Sequence, residues 1–539
     1  MKGRPEGRHL RMVAAIVVAL AAFVFYAPTM HDYFMQDDFG VVGLFSQRSL
    51  AYFPRWFVAP WTEDIWGYVP DEIRPFPAAS YVIASWFGAT APEPNHVLNI
   101  ALHAANGVLV MWIAEAAAGL SLVPAAFAGA VFVLLPIQAE SVAWVTGRVD
   151  SLPTFFYFAS FLLYVRSVPL RPDTTNDPSV RRQGDYWWSV ALFFAALFSK
   201  QNTITMVPAL VLFDWLVARR PTEVSWRWLR PYVPYILLTI GFLALRYALF
   251  HEVARESILS AQRLHEFLSD SSRHLVRLVV GGEGIRHWMW KDTVWIALLA
   301  LVVAIRPRLW RAAIYFGLVW MTLGIAPILM SGYYSPRHMY LAALGWSVML
   351  GIAVETVWVL NDSRLARIAA SIAAAAVATV YAIQLHGVVR EWNRYAAISY
   401  AALMQIEREA ATEPPGTLIV AGVPRLSWAF AVPHSLRPPF TSTNLTQRVS
   451  VISDSSDHCC NAVLWEDYTR ARLREWHDRT DRPPVVALYW NPQSQRMSRV
   501  SDGEDPQLRT LAAVLMETKN REALDSVIRG LLSDYVALR

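Results

Sequence analysis

Tyr33-Phe34-Met35-Gln36-Asp37-Asp38-Phe39 places two adjacent carboxylates a few residues beyond a long apolar run, Met12 to Pro28. A run of that kind reads as a membrane span, so the pair sits where the span emerges into water, close to the headgroups. Carboxylates at that depth lose part of their hydration and repel each other. One of them is thereby pushed towards the higher pKa that a general base needs. The plainer reading is that an Asp pair just past a span is the solvated cap of the next helix. The surrounding chain weighs between the two.

The chain has 539 residues, of which 55% are hydrophobic and 17% charged, and its mean hydropathy is positive. That excludes an ordinary soluble domain and marks a polytopic membrane protein. The 23 Trp and 21 Tyr suit interfacial belts. The net charge of +5 is carried almost wholly by arginine. Positive cytoplasmic loops account for it, and no nucleic-acid partner is implied. Cys459 and Cys460 are the only cysteines and are adjacent, so there is no disulfide framework. With His458 they would make a poor metal geometry. Lys2, Arg4, Arg8 and Arg11 before an apolar run resemble a signal peptide, but no clear small-residue cleavage site follows, which predicts an uncleaved first span.

Apolar stretches near 12–28, 96–117, 122–136, 151–168, 186–201, 203–218, 231–250, 292–305, 311–329, 339–360 and 365–386 predict about eleven spans. Arginines mark alternate loops: Arg166, Arg171, Arg181 and Arg182, then Arg219, Arg220, Arg227 and Arg230, then Arg306, Arg308 and Arg311, then Arg364 and Arg367. The positive-inside rule therefore puts the N-terminus in the cytoplasm, with Asp37, Asp38 and the tail outside. The first outer loop, about 29–95, is too long for a connector. Its Trp56, Trp61, Trp66, Tyr68, Pro75 and Pro77 suit short helices lying in the interface.

In the second span His96, Asn99, His103 and Asn106 recur at steps of three, four and three, which puts them on one helical face. Such a face lines a water-filled cavity or hydrogen-bonds between helices. Metal binding by the two histidines is disfavoured, since seven residues separate them by about 10 Å. The third span stops at Pro136, and the residues after it carry Glu140, Arg148 and Asp150 to the outer side. Lys200, one of four lysines, closes the fifth span, and Arg337 and His338 follow the ninth. Cations in that layer can hold a phosphate while a carboxylate takes a proton.

These segments resemble the GT-C superfamily of membrane glycosyltransferases, and within it the protein O-mannosyltransferases and the membrane half of the tetratricopeptide-containing mannosyltransferases. The resemblance covers roughly residues 10–390. It rests on Gln36-Asp37-Asp38-Phe39, Arg74-Pro75-Phe76, the His96/Asn99/His103/Asn106 face, the stretch from Pro136 to Asp150, Ser199-Lys200 and Arg337-His-Met-Tyr340. It implies a sugar donor on a polyprenyl phosphate, attacked with inversion by a hydroxyl of a protein, lipid or polysaccharide acceptor. Asp37 would be the general base with Asp38 supporting it, and Arg148, Lys200 and Arg337 would clamp the phosphate. Arg74, His96, Asn99, His103, Asn106, Glu140, Asp150, Gln201, His338 and Tyr340 would line the site. Two positions depart from the family pattern: Gln201 stands where an acidic residue is usual, and Gln138 stands where a histidine is usual. No metal site is assigned, although two carboxylates leave room for a divalent cation.

The expected architecture is thus an α-helical, GT-C-like membrane domain over 1–390 with interfacial helices in its first outer loop, followed by a soluble outer α/β domain over 391–539. Strand-like Thr417–Val423, Arg448–Ser453 and Val485–Trp490 alternate there with helix-like 463–477 and 506–537. No 34-residue repeat is visible. The expected location is a bacterial inner membrane, with the tail in the periplasm. A transporter or flippase of a lipid-linked or ionic substrate is the rival reading, and a non-catalytic assembly or sensor subunit is a third.

Overall fold

The computed structural model describes residues 5–167 (save 64 and 66–71), 179–218, 226–253, 277–279, 309–329, 335–360, 363–452 (save 429–430) and 484–500, with isolated positions between 473 and 480 and between 510 and 527. The expected span at 292–305, the His458-Cys459-Cys460 run and most of the tail segments 463–477 and 506–537 lie outside the described residues.

Helix α1 (Pro5–Tyr26) buries Val18, Ala22 and Tyr26 and exposes Leu10, Met12, Ile16, Val17, Leu20 and Val24. The four-residue step of the buried set is one helix stripe. The exposed set is apolar, as expected of a face that a bilayer covers. Helices α2 (Asp38–Phe45) and α3 (Pro75–Ser85) belong to the first outer loop, which also holds short turns at Leu50–Tyr52 and Arg55–Phe57. Helix α4 (Glu93–Ala116) crosses behind them. Helix α5 (Leu122–Leu134) is separated by a 52° bend from Pro136–Ala143, whose last turn is α6 (Ala139–Ala143). Pro136 has no backbone N–H to continue the α5 ladder, so the chain turns there, as its sequence predicts.

Helices α7 (Arg148–Ser167), α8 (Ser179–Leu197), α9 (Met206–Leu216) and α10 (Val233–Phe250) follow. Trp310–Ile314 then runs through a π-helical Tyr315–Trp320 into Met321–Leu329. Helices α11 (Ala343–Leu360) and α12 (Arg364–Thr412) complete the helical part. Ten of the eleven apolar stretches thus fall on helices. By length and hydropathy four described helices can cross a membrane, or five if the bent pair is one span. Eleven crossings are therefore more than the described helices establish, because α7 carries Arg148, Asp150 and Arg166 and α9 is only 11 residues long.

The 49-residue α12 runs unbroken through position 390, where the sequence suggested a boundary. Beyond it, the described residues form a sheet in the order β2-β1-β3-β4. Strand β1 (Leu418–Gly422) is parallel to both β2 (Val449–Ile452) and β3 (Val485–Asn491), and β4 (Arg496–Arg499) is antiparallel to β3. Every residue of β1 is buried, as befits a central parallel strand.

Two apolar cores result. One lies among the helices. The other joins the first outer loop (Phe34, Phe39, Phe45) to Ile398 and Ile406 of α12 and to Ile419, Trp428 and Phe440 beyond it. The acidic stretch is therefore clamped between the membrane part and the C-terminal sheet.

Candidate active site

Gln36 adopts a left-handed backbone conformation, φ +50°, and the chain then enters α2 with Asp37 at the N-cap and Asp38 in the first turn. The two carboxylates are used differently. Asp38 is fully buried. Its Oδ1 accepts from the Thr146 backbone N–H (2.8 Å) and hydroxyl (2.6 Å), and its Oδ2 accepts from the Met35 N–H at 3.1 Å. It ties the outer loop to the turn before α7. Asp37 is half-buried and makes no side-chain capping bond. Its Oδ1 is shielded from solvent and accepts no hydrogen bond among the described residues. The pair is therefore not a pair of solvated helix caps.

Burial raises the Asp37 carboxyl well above the usual carboxylate range, and the neighbouring Asp38 raises it further, while Arg337 and Thr146 pull it back. Asp38 is raised too, mainly by burial, against its bonds to Thr146 and Met35 and the nearby Arg148. Tyr81 of α3 also faces the pair.

Beside the pair lies a layer of paired ions. Lys200, partly buried, is bound to the buried Asp150. Arg337 Nε lies 3.7 Å from Asp150 Oδ2 and 3.9 Å from Glu140 Oε1, with its guanidinium 4.6 Å above the Trp144 ring. Glu140 also accepts from the Ser335 hydroxyl and from the Arg337 N–H (3.3 Å). Arg74 pairs with Glu72 at 2.7 Å and acts electrostatically on Lys200, as Arg337 does. Gln201 opens the 3-10 turn Gln201–Thr205 directly after Lys200. His338 folds back on its own turn, where its Nδ1 accepts from the Ser335 N–H at 3.3 Å.

Arg148 is used otherwise than as a phosphate clamp. It is fully buried. Its Nε donates to Asn99 Oδ1 (2.8 Å), its Nη2 to Asn95 Oδ1 (2.9 Å) and Asn95 O (3.0 Å), and its Nη1 to Ser80 (3.3 Å), while the guanidinium stands 4.4 Å over Tyr81. Every nitrogen is spent on holding α4, α3 and α7 together.

The polar face of α4 does the same work. Asn99 Nδ2 donates to the carbonyls of Val142, Trp144 and Val145 at 3.0–3.3 Å. Asn106 Nδ2 donates to Ser151 O (3.0 Å) and Tyr340 (3.2 Å). His103 bonds Tyr340 at 2.7 Å and Val133 O at 3.1 Å, and His96 bonds Asp32 O at 3.0 Å. All four residues are fully buried. They form a seam that shapes the 142–151 segment. Gly147 completes that shape: a Cβ there would lie 2.4 Å from Glu140 O.

Of the expected site residues, Asp37, Asp38, Glu140, Asp150, Lys200, Arg337 and Arg74 are gathered together, whereas the α4 face and Tyr340 stand behind them as support. Thr146, Trp144 and Ser335 also belong to the site and were not singled out from the sequence. Their place inside the Pro136–Asp150 and Arg337 stretches was the available signal. Among the described residues no three His, Cys, Asp or Glu side chains are arranged to hold a metal ion.

Among solved structures, ArnT from Cupriavidus metallidurans, bound to undecaprenyl phosphate, matches 90% of this chain and 93% of its own, with a TM-score of 0.50 at 14% identity. The chain shares the overall fold of that protein. Among curated proteins, the protein O-mannosyl-transferase TMTC2 of Mus musculus is 24% identical over 219 residues, 39% of this chain and 25% of that protein. TMTC4 of Homo sapiens is 26% identical over 225 residues, 38% and 29% respectively. Tmtc2 of Drosophila melanogaster is 29% identical over 204 residues, 36% and 20%. The matched part spans about a quarter of the length of the mouse relative. No family model matches the chain. In this chain the acidic pair, the Lys200–Asp150 pair and Arg337 are brought together from four different turns.

Proposed function

We propose that this chain is a membrane glycosyltransferase that moves a sugar, mannose or a similar hexose, from a polyprenyl-phosphate donor to a hydroxyl acceptor on a protein, lipid or polysaccharide. The observation that carries the reading is the half-buried Asp37, with a shielded and unengaged Oδ1, beside the partly buried cations Lys200 and Arg337. The names of the curated relatives support a mannosyl donor, and the undecaprenyl phosphate held by ArnT supports a lipid phosphate.

Asp37 takes the proton of the acceptor hydroxyl as its oxygen attacks the anomeric carbon. The bond from that carbon to the phosphate oxygen breaks on the opposite side, with inversion, and the phosphate leaves on its lipid. Lys200 and Arg337 stabilise the charge that develops on the leaving phosphate. Asp150 and Glu140 keep the two cations placed and balanced until the donor arrives. The reaction is assigned to the outer face of a bacterial-type inner membrane, with the N-terminus cytoplasmic and the C-terminal sheet periplasmic, as the arginine-rich loops support.

The test uses the purified full chain in lipid nanodiscs, with tritiated polyprenyl-phosphate mannose as donor and membranes of the source cells as acceptor. Label should pass from the lipid to a product that no longer partitions as the donor. Intact donor reappearing across a sealed vesicle, with no such product, would replace this reading with the transporter.

Two further results are expected. Lys200→Ala and Arg337→Gln should each weaken polyprenyl-phosphate binding about ten-fold or more, since a charge-assisted hydrogen bond contributes about 1.5–3 kcal/mol. Titration calorimetry in nanodiscs measures it, and parental affinity in both variants would remove the clamp.

Transfer should also depend on pH in one direction. A base works only when ionised and the carboxyl of Asp37 is raised, so activity is lost as pH falls through a midpoint well above the ordinary value of about 4. Arg337→Gln removes a cation that lowers that pKa and should move the midpoint up. A rate that is flat down to about pH 4, the ordinary carboxylate value, would contradict the assignment.

A further inference from the structure

The turn that aims Asp37 is held from outside the membrane part. Gln36 is a non-glycine residue at φ +50°, a conformation that persists only where its surroundings over-determine it. Both flanking backbone groups are fixed by residues more than 360 positions away. The Gln36 N–H donates to Ser427 O at 3.0 Å. The Phe34 carbonyl accepts from the Ser399 hydroxyl at 2.6 Å, and that hydroxyl accepts from Trp428 Nε1 at 2.9 Å. Ser399 is on α12, whereas Ser427 and Trp428 follow β1, and all three are fully buried.

The same C-terminal segment packs closely on α2. Phe39 lies edge-on to Trp428 and Phe440, with centroids 6.2 and 5.0 Å away. A Cβ on Gly40 would meet Ile65 Cγ2 at 2.6 Å and His434 Cδ2 at 3.2 Å. His434 itself bonds Ile65 O at 2.8 Å and accepts from Arg437 at 2.6 Å. Trp428, His434 and Phe440, all beyond β1, therefore lie against the element that carries the acidic pair.

We propose that Ser399 and Trp428 are positioning residues for the transfer reaction, fixing through the Phe34 carbonyl and the Gln36 turn the direction in which the Asp37 carboxylate points. The C-terminal segment is then a working part of the active site and not only a module for binding acceptor. The proposal rests on the reading of Asp37 as the base.

Ser399→Ala removes both hydrogen bonds of the Ser399 hydroxyl with little change of volume, and Trp428→Phe removes only the indole N–H link while keeping an aromatic ring in the pocket. The full chain in nanodiscs is assayed for kcat and for KM of polyprenyl-phosphate mannose. In parallel, Asp37 is labelled with an apolar carbodiimide, which attacks protonated, sheltered carboxyls, and the labelled peptide is quantified by mass spectrometry. Both variants should lose about ten-fold in kcat, part of the roughly 10²-fold that a 1 Å misplacement brings. The donor KM should stay at its parental value, and the labelling rate of Asp37 should change.

Parental kcat or parental Asp37 labelling in the variants that fold overturns the proposal. Because one variant alters α12 and the other the segment after β1, misfolding of one leaves the other as the test. Failure of the base assignment reads separately, as parental transfer by Asp37→Asn, and it leaves the labelling comparison intact.

Discussion

Asp37→Asn is expected to lower sugar transfer by about 10²-fold or more, the scale of general-base catalysis, while donor binding and folding stay near parental. An amide keeps the shape of the side chain but accepts no proton from an acceptor hydroxyl. The side chain makes no capping bond and its Oδ1 has no partner among the described residues, so little structure depends on the charge. Removing a raised carboxyl also removes its repulsion of Asp38, so the variant should be no less stable than the parent. Single-turnover transfer together with titration of polyprenyl phosphate separates the two effects. Unchanged transfer by a folded Asp37→Asn protein would make the mechanism wrong and the transporter reading the better one.

Arg148→Met should act on the fold and not on the donor. It removes the donor that serves Asn99 Oδ1, Asn95 O and Asn95 Oδ1, and it takes a cation from beside the buried Asp38. Breaking a buried charged network of that kind destabilises by about 3–5 kcal/mol. A large fall in thermal midpoint in detergent is expected, greater than for Lys200→Ala. A variant of normal stability whose only defect is weak polyprenyl-phosphate binding would restore Arg148 as a clamp.

The contrast between these two residues marks how far the sequence could be read. Apolar run lengths and Pro136 located the helices, because both act locally through hydrogen-bond loss and burial. The acidic pair was legible as a pair, since two carboxylates beside a span are expensive. Its division of labour was not, because that depends on Thr146, over a hundred residues away. Arg148 and the α4 polar face looked like site residues for the same reason that they are buried: polar groups in an apolar bundle serve either chemistry or packing. Only their partners decide which. The strands at 418–422, 449–452 and 485–491 were visible as apolar runs, whereas β4, with Arg at both ends, was not. The seating of that sheet on the Gln36 turn was out of reach, since Ser399 and Trp428 carry no local signal.

The most direct test of the central claim is a cryo-EM structure of the full chain in nanodiscs with polyprenyl phosphate bound. The account predicts phosphate oxygens within about 3 Å, a hydrogen-bond distance, of Lys200 Nζ and the Arg337 guanidinium, with Asp37 facing the side opposite the lipid oxygen. A phosphate seated away from both cations, or with Asp37 pointing elsewhere, would contradict it.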